Sequence, residues 1–275
     1  MERSIIGTLI LLFTAIATYS GFKRSVYFDR NKFLVDGILK QKEYDRLLSS
    51  GFLHVNWIHF GFNMIALMAF SISLEYLLGV WTFLFLYLAS LLGGSLLALY
   101  VHRNHGDYSA VGASGAVSGV IFATIILYPT SSISFILIPI EIKNWVFGIA
   151  YVLISIYGIK SQLGNIGHEA HLGGALTGTL LTMAIRPSVI IDSWWMILLI
   201  VVPISTFLFL IIRNPSILLV DNYWGNEISR IRSSGKGRRS SEKTMDELLE
   251  KIAKEGVGSL SKKEQRLLDK YRDKL

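Results

Sequence analysis

The chain has 275 residues, 52% of them hydrophobic and 17% charged, with a formal net charge of +7 and no cysteine. Its mean hydropathy is +0.48, whereas a soluble domain carries about 25% charged residues, so an ordinary soluble enzyme is excluded for most of the length. The missing cysteines exclude disulfides, thiolate metal sites, cysteine nucleophiles and palmitoylation. Charge gathers at one end: 14 of the 27 Lys and Arg, and 10 of the 20 Asp and Glu, follow Arg213. That is the layout of a membrane-embedded body with a soluble tail. A basic excess beside apolar spans suits anionic lipid better than nucleic acid. The expected partner is therefore the lipid bilayer, with no nucleic acid.

Apolar stretches near 20 residues can cross a bilayer as helices, because a helix satisfies its own backbone hydrogen bonds. Seven are predicted: Ser4–Phe22, Val55–Tyr76, Trp81–Tyr100, Ala113–Tyr128, Trp145–Ile159, Glu169–Ile185 and Trp194–Ile212. The first lacks a clear cleavage site after it and reads as a retained span, with a signal peptide as the alternative. The fourth and fifth are short, which suits a site sunk below the membrane surface. Between the first two spans, Lys23–Phe52 is charged yet rich in aromatic and aliphatic residues, so short interfacial helices are expected there. Ser134–Ile140 is apolar but interrupted by Pro139 and reads as an interfacial connector. Asn226–Lys243, rich in Ser, Gly, Lys and Arg, reads as a flexible linker. Two capping boxes, Thr244-x-x-Glu247 and Ser261-x-x-Glu264, each open a short helical pattern beyond it.

Three short motifs carry the chemistry. In Gly112-Ala113-Ser114-Gly115, a serine flanked by small residues opens an apolar helix; alone, this is also a packing pattern, since small residues let membrane helices approach. In His168-Glu169-Ala170-His171-Leu172-Gly173-Gly174, followed by Gly178, a histidine sits in a span where ionisable groups are costly and usually face a cavity. A satisfied structural histidine is the competing reading. Gly174 and Gly178 share its helix face, so a partner helix can come close. In His54-(x4)-His59-(x3)-Asn63, the last two are one turn apart and aim together. Such a pair suits the stabilisation of an oxyanion, or an interhelical hydrogen bond.

The ordered set, Arg46 through Gly51, His54, His59 and Asn63, then Gly-Ala-Ser114-Gly, then Ala170-His171-Leu-Gly-Gly174 and Gly178, resembles the rhomboid intramembrane proteases over roughly Ser4–Ile185. The resemblance implies an all-α, polytopic membrane helical bundle, with a Ser114–His171 dyad. Ser114 would be the nucleophile and His171 its base. The oxyanion would rest on the Ser114 N–H, His59 and Asn63, with His54 in support. Gly112, Gly115, Gly174 and Gly178 would pack the helices at the site. Arg46 matches the arginine of the family's interfacial loop and Glu75 a structural carboxylate. No cofactor and no metal are implied, and the substrates would be transmembrane proteins reached through the fifth span and the loop before the sixth.

The expected organisation is a six-span protease core at 1–185, an added seventh span at 186–213, a linker at 214–243 and a two-helix soluble tail at 244–275. The tail resembles a short module that follows the core in some bacterial rhomboids, and a bacterial cell membrane is the expected location. The family orientation places the 23–52 loop outside the cytoplasm. Yet that loop carries seven basic residues against four acidic ones, and Lys/Arg bias alone would turn the protein over. Two rivals differ in chemistry. A metalloprotease is suggested by His168-Glu169-Ala170-His171, but this is one residue short of HExxH and no distant ligand follows. His102 and His105, beside Arg103 and Asp107, read as surface histidines. A catalytically silent relative that binds or escorts membrane clients would have lost the serine or the histidine, and both are present.

Overall fold

The computed structural model describes residues 4–135, 138–161, 166–213, Ser261 and Gln265. The chain divides into two compact units, Met1–Leu218 and Leu219–Leu275. The first runs α1 (Ile5–Lys23), α2 (Ser25–Asn31), β1 (Phe33–Leu34), α3 (Val35–Leu39), α4 (Arg46–Ser49), a 3-10 turn (Ser50–Phe52), α5 (Trp57–Leu78) and α6 (Val80–His102). It continues with β2 (Ser109–Ala110), α7 (Ser114–Leu127), β3 (Ser132–Phe135), β4 (Ile138–Lys143), α8 (Asn144–Ser161), α9 (His168–Ile185), α10 (Val189–Asp192) and α11 (Trp194–Arg213). In the second unit, Gln265 donates its N–H to the Ser261 carbonyl at 2.9 Å, one α-helical turn. The expected linker at 214–243 and the helix opened by Thr244 lie outside the described residues.

The architecture is a helical membrane bundle. Among the described residues, α1, α5, α6 and α11 are long and apolar enough to cross a bilayer. Each keeps Ile, Leu or Phe side chains outward, as a lipid-facing helix must; Ile58, Phe62, Phe85, Leu198 and Phe209 are examples. α7 is different. Its 14 residues span about 21 Å at 1.5 Å per residue, short of the roughly 30 Å hydrocarbon core. It is buried on nearly every face, from Gly115 through Ala123 without a break, as expected of a helix that is apolar all round.

Glycine decides how closely α7 is enclosed. A Cβ on Gly174 would lie 1.9 Å from the Gly115 carbonyl oxygen, and one on Gly178 would lie 2.3 Å from that of Gly119. A Cβ on Gly173 would meet the Gly93 carbonyl oxygen of α6 at 2.6 Å. The backbones of α6, α7 and α9 are thus in direct contact, the close approach that small residues allow in a membrane.

Polar side chains fasten the periphery. The buried Glu75 carboxylate near the end of α5 receives Ser4 Oγ at 2.5 Å, the Ile5 N–H at 2.9 Å and the Ile6 N–H at 3.0 Å. It satisfies the orphan donors that begin α1, where a negative charge also complements the helix dipole. Arg46, 5% exposed, pairs with Glu43 and donates to the Asp29 and Lys32 carbonyls at 2.7 and 2.8 Å. It ties the interfacial loop together. All four carboxylates of that loop pair with cations: Asp29 with Lys32, Asp36 with Lys40, Asp45 with Arg30, and Glu43 with Arg46 and Arg30.

Two expectations gain detail. The connector expected at Ser134–Ile140 contains strand: β3 and β4 pair antiparallel, with Ser132 opposite Lys143 and Ile133 opposite Ile142. Its β-branched residues at alternate positions favour a strand over a featureless link. The interfacial loop also adds a strand to its short helices. Phe33 pairs with Ala110 and Leu34 with Ser109, a non-local contact that no local pattern announces.

The glycine contacts make a controlled comparison. Gly174→Ala forces a methyl group against the Gly115 backbone, so a thermal unfolding midpoint measured in detergent should drop sharply. Gly61→Ala, where nothing lies within 4 Å of the new Cβ, should hold steady or gain up to about 1 kcal/mol from helix propensity. Equal midpoints for the two variants would show that the close packing is not needed.

Candidate active site

The structure places Ser114 as the first residue of α7 and His171 in the first turn of α9. Ala113, at the cap, offers no side-chain acceptor, so the first N–H groups of α7 lack helical partners. A Cβ added to Gly115 would lie 3.2 Å from the Ala170 carbonyl oxygen. The absence of a side chain after Ser114 therefore lets the turn of α9 that carries His171 come close to the start of α7. Ser114 and His171 are not hydrogen-bonded to each other among the described residues.

A third element meets them. Tyr151 on α8 lays its ring 5.9 Å from that of His171, inclined by 33°. Its hydroxyl bonds Ser118 Oγ at 2.6 Å, and Ser118 Oγ donates to the Ser114 carbonyl at 2.7 Å. Tyr151 thus touches the histidine with its ring and reaches the serine's helix with its hydroxyl. Neither Tyr151 nor Ser118 stood out in the sequence. Ser118 lies one turn after Ser114, and that spacing was the available signal.

His54 is fully buried beneath the loop that leads to Ser114. Its Nε2 accepts the Ala113 N–H at 3.4 Å, and its Nδ1 contacts Thr18 Oγ1 at 3.1 Å. A backbone N–H can only donate, so Nε2 is the acceptor and the neutral ring carries its proton on Nδ1. Thr18 passes the bond on to the Phe52 carbonyl at 3.2 Å. Burial, and next the neighbouring His59, push the His54 pKa down to about 3, so the ring is neutral at ordinary pH.

His59 begins the polar face of α5. Asn56 caps the helix by accepting the His59 N–H at 2.8 Å. The ring packs against Gly112, whose φ of +142° lies where side chains rarely go. A Cβ there would lie 2.8 Å from His59 Cε1 and 3.8 Å from Ser114 Oγ. Gly112 thus lets the imidazole and the hydroxyl approach the same spot. Asn63 is buried and donates Nδ2 to the His59 carbonyl at 2.9 Å, which leaves its second amide hydrogen uncommitted. His54, His59, Gly112 and Ser114 are therefore gathered by the start of α5 and the start of α7, while Asn63 lies one turn further along α5 and bonds back to His59, and His171 lies on α9.

His102 and His105 are not surface histidines. His102 Nε2 contacts Glu169 Oε1 at 2.8 Å, and its ring stacks on Tyr108 at 3.5 Å, only 6° from parallel. His105 packs beside it at 5.7 Å. Their polar sequence context pointed outward, but both are only partly exposed, His102 through its contact with Glu169 of α9. Among the described residues, no group of three His, Cys, Asp or Glu could hold a metal.

Comparison with known proteins assigns the family. The Rhomboid domain matches residues 41–188, more than half of the chain. The chain belongs to the rhomboid family. A second match, to a family of unknown function (DUF6576), covers residues 235–274. The chain is 34% identical over 156 residues to Rhomboid protein 1, mitochondrial, of Saccharomyces cerevisiae, covering 54% of this chain and 45% of that protein. It is 30% identical over 175 residues to RHOMBOID-like protein 12, mitochondrial, of Arabidopsis thaliana, covering 58% and 52%. It is 29% identical over 143 residues to Rhomboid protease GluP of Bacillus subtilis, covering 52% and 26%. The alignments span about half or less of those relatives. As a rhomboid-family chain with, among the described residues, four helices long and apolar enough to cross a bilayer, this is an integral membrane protein.

The state of His54 has a measurable consequence. Its folded pKa near 3 lies below the unfolded value of about 6.5, so unfolding takes up a proton between those values. Stability should be complete above about pH 6.5 and fall as the pH drops toward 3. Between pH 7 and 5 the loss from this group is about 2 kcal/mol. Unfolding midpoints across that range should drop for the native chain and flatten for His54→Gln; parallel slopes would mean that His54 is not buried neutral.

Proposed function

We propose that this chain is an intramembrane serine endopeptidase that cuts transmembrane segments of other membrane proteins with a Ser114–His171 dyad. The observation that carries the reading is the close approach of α9 to α7 at Gly115, where an added Cβ would lie 3.2 Å from the Ala170 carbonyl oxygen, which brings the histidine's helical turn beside the serine's. In this mechanism Ser114 Oγ attacks the scissile carbonyl and His171 takes its proton. The tetrahedral oxyanion is held by the Ser114 N–H, the His59 ring and the second amide hydrogen of Asn63. His171 then returns the proton to the leaving amine, and water releases the acyl group by the reverse steps. The free N–H groups at the start of α7 point their dipole at the same charge.

His54 acts through the backbone: its bond to the Ala113 N–H steadies the residue before Ser114. The shortness of α7 sets the hydroxyl below the membrane surface, and α8, which carries Tyr151, is the wall through which a substrate helix would reach it. Such a helix would have to unwind locally, because a helical carbonyl is already hydrogen-bonded and sterically covered. The reading extends to a bacterial cell membrane on the strength of the Bacillus subtilis relative; the yeast and Arabidopsis relatives are named as mitochondrial.

A serine-directed fluorophosphonate separates the possibilities. The purified native chain should be labelled and Ser114→Ala should not. A folded native chain that takes no label would instead be a catalytically silent relative that binds or escorts membrane clients. Asn63→Ala should slow turnover of a membrane substrate by roughly a hundredfold, the usual weight of one oxyanion donor, with a much smaller change in unfolding midpoint. Unchanged turnover would leave Asn63 with its helix-internal bond alone. Chelators should leave the rate as it is, and an inhibition that zinc reverses would favour metal chemistry.

A further inference from the structure

Behind the first turn of α9, on the side away from Ser114, lies a second set of titratable side chains. Glu169 is 5% exposed, and a carboxylate buried this deeply needs hydrogen-bond partners. Two donors converge on its Oε1: His102 Nε2 at 2.8 Å and the Tyr108 hydroxyl. A carboxylate only accepts, so His102 must carry a proton on Nε2. The stacked rings of His102 and Tyr108 hold the two donors side by side.

The three residues belong to three segments. His102 is the last residue of α6. Tyr108 sits in the loop that runs on through β2 to Ser114, and its carbonyl accepts the Val35 N–H at 3.2 Å, which ties that loop to the interfacial segment. Glu169 is two residues before His171, so on a helix the two side chains point to different sides. The first turn of α9 is consequently gripped on two flanks. Glu169 faces α6 and the loop, His168 packs against Gly158 of α8, and His171 faces Tyr151.

We propose that Glu169 is a positioning residue, the hub of a clamp with His102 and Tyr108 that fixes the helical turn carrying His171 relative to the loop ending at Ser114. It touches neither reacting side chain and sets their separation through the two backbones. The consequence for turnover rests on the protease reading; the clamp itself does not. An error of about 1 Å in such a separation can cost a hundredfold in rate, so the clamp bears on catalysis more than on substrate affinity.

The test uses the full chain in detergent and two readouts: hydrogen exchange of the segments 108–114 and 168–172, and steady-state cleavage of a membrane substrate. Glu169→Ala should speed exchange in both segments together, by roughly tenfold or more, and leave α1 and α5 as they were. It should lower kcat by roughly tenfold to a hundredfold with KM within about twofold. Glu169→Gln keeps an oxygen that accepts from both donors and should recover most of the native values. Tyr108→Phe, which keeps the ring stack and loses one bond, should fall between them and serves if Glu169→Ala does not fold. Exchange that rises in one segment alone, in neither, or throughout the chain would overturn the clamp, as would Glu169→Gln behaving like Glu169→Ala. If the native chain neither labels nor cleaves, the protease reading falls, and the exchange pattern still decides the clamp.

Discussion

The structure depends on backbone-to-backbone contact between α7 and α9. In a bilayer, lipid tails are as apolar as leucine, so burying apolar side chains gives little drive for helices to associate. Close van der Waals fit has to supply it. Here the fit runs from Gly115 against Gly174 to Gly119 against Gly178, and α6 joins it through Gly93 and Gly94 against Gly173 and Ala170. A helix enclosed this closely can be short, because its neighbours rather than lipid meet its ends. That is why α7 can begin inside the protein and present Ser114 at a protected terminus.

Around this contact, polar groups appear where chain segments must be held rather than packed. Glu75 caps α1, Arg46 gathers three parts of the interfacial loop, and His54 links Thr18 of α1 to the backbone before Ser114. Each is buried and bonded, as the cost of an unsatisfied polar group in an apolar interior requires. Their partners are mostly backbone groups of loops and helix ends, the parts of the chain that have no ladder of their own to satisfy them. The surface ion pairs of the 23–52 loop are a different matter: exposed pairs contribute little each, and the buried Arg46 is the one that organises the loop.

The residues near Ser114 come from α5, α7, α8 and α9, and each helix has its own anchor. His59 is set by the Asn56 cap and by the space that Gly112 leaves. His171 is set by Tyr151 on one flank and by the Glu169 turn on the other. The loop before Ser114 is held from below by His54 and from the side by β1 and Tyr108. Precision at one hydroxyl thus derives from many contacts remote from it, which is how a site formed from loops and helix ends acquires a defined geometry.

The sequence by itself determined where the long helices lie. The seven predicted stretches lie within a few residues of α1, α5, α6, α7, α8, α9 and α11, and four of these, α1, α5, α6 and α11, are long and apolar enough to cross a bilayer, because hydrocarbon tolerates only self-satisfied backbone and hydropathy reports that directly. It also singled out Ser114, His171, His59, Asn63 and His54, since polar side chains stand out in apolar segments. Tertiary structure alone decided the rest. The β1–β2 ladder joins residues more than seventy positions apart. The 132–143 hairpin turned an expected connector into strands. Tyr151 reached His171 from another helix, and His102 came to bond the buried Glu169. These are relations between segments distant in sequence. Periodicity and composition describe each segment separately and carry no term for what a neighbouring backbone will bring within bonding distance.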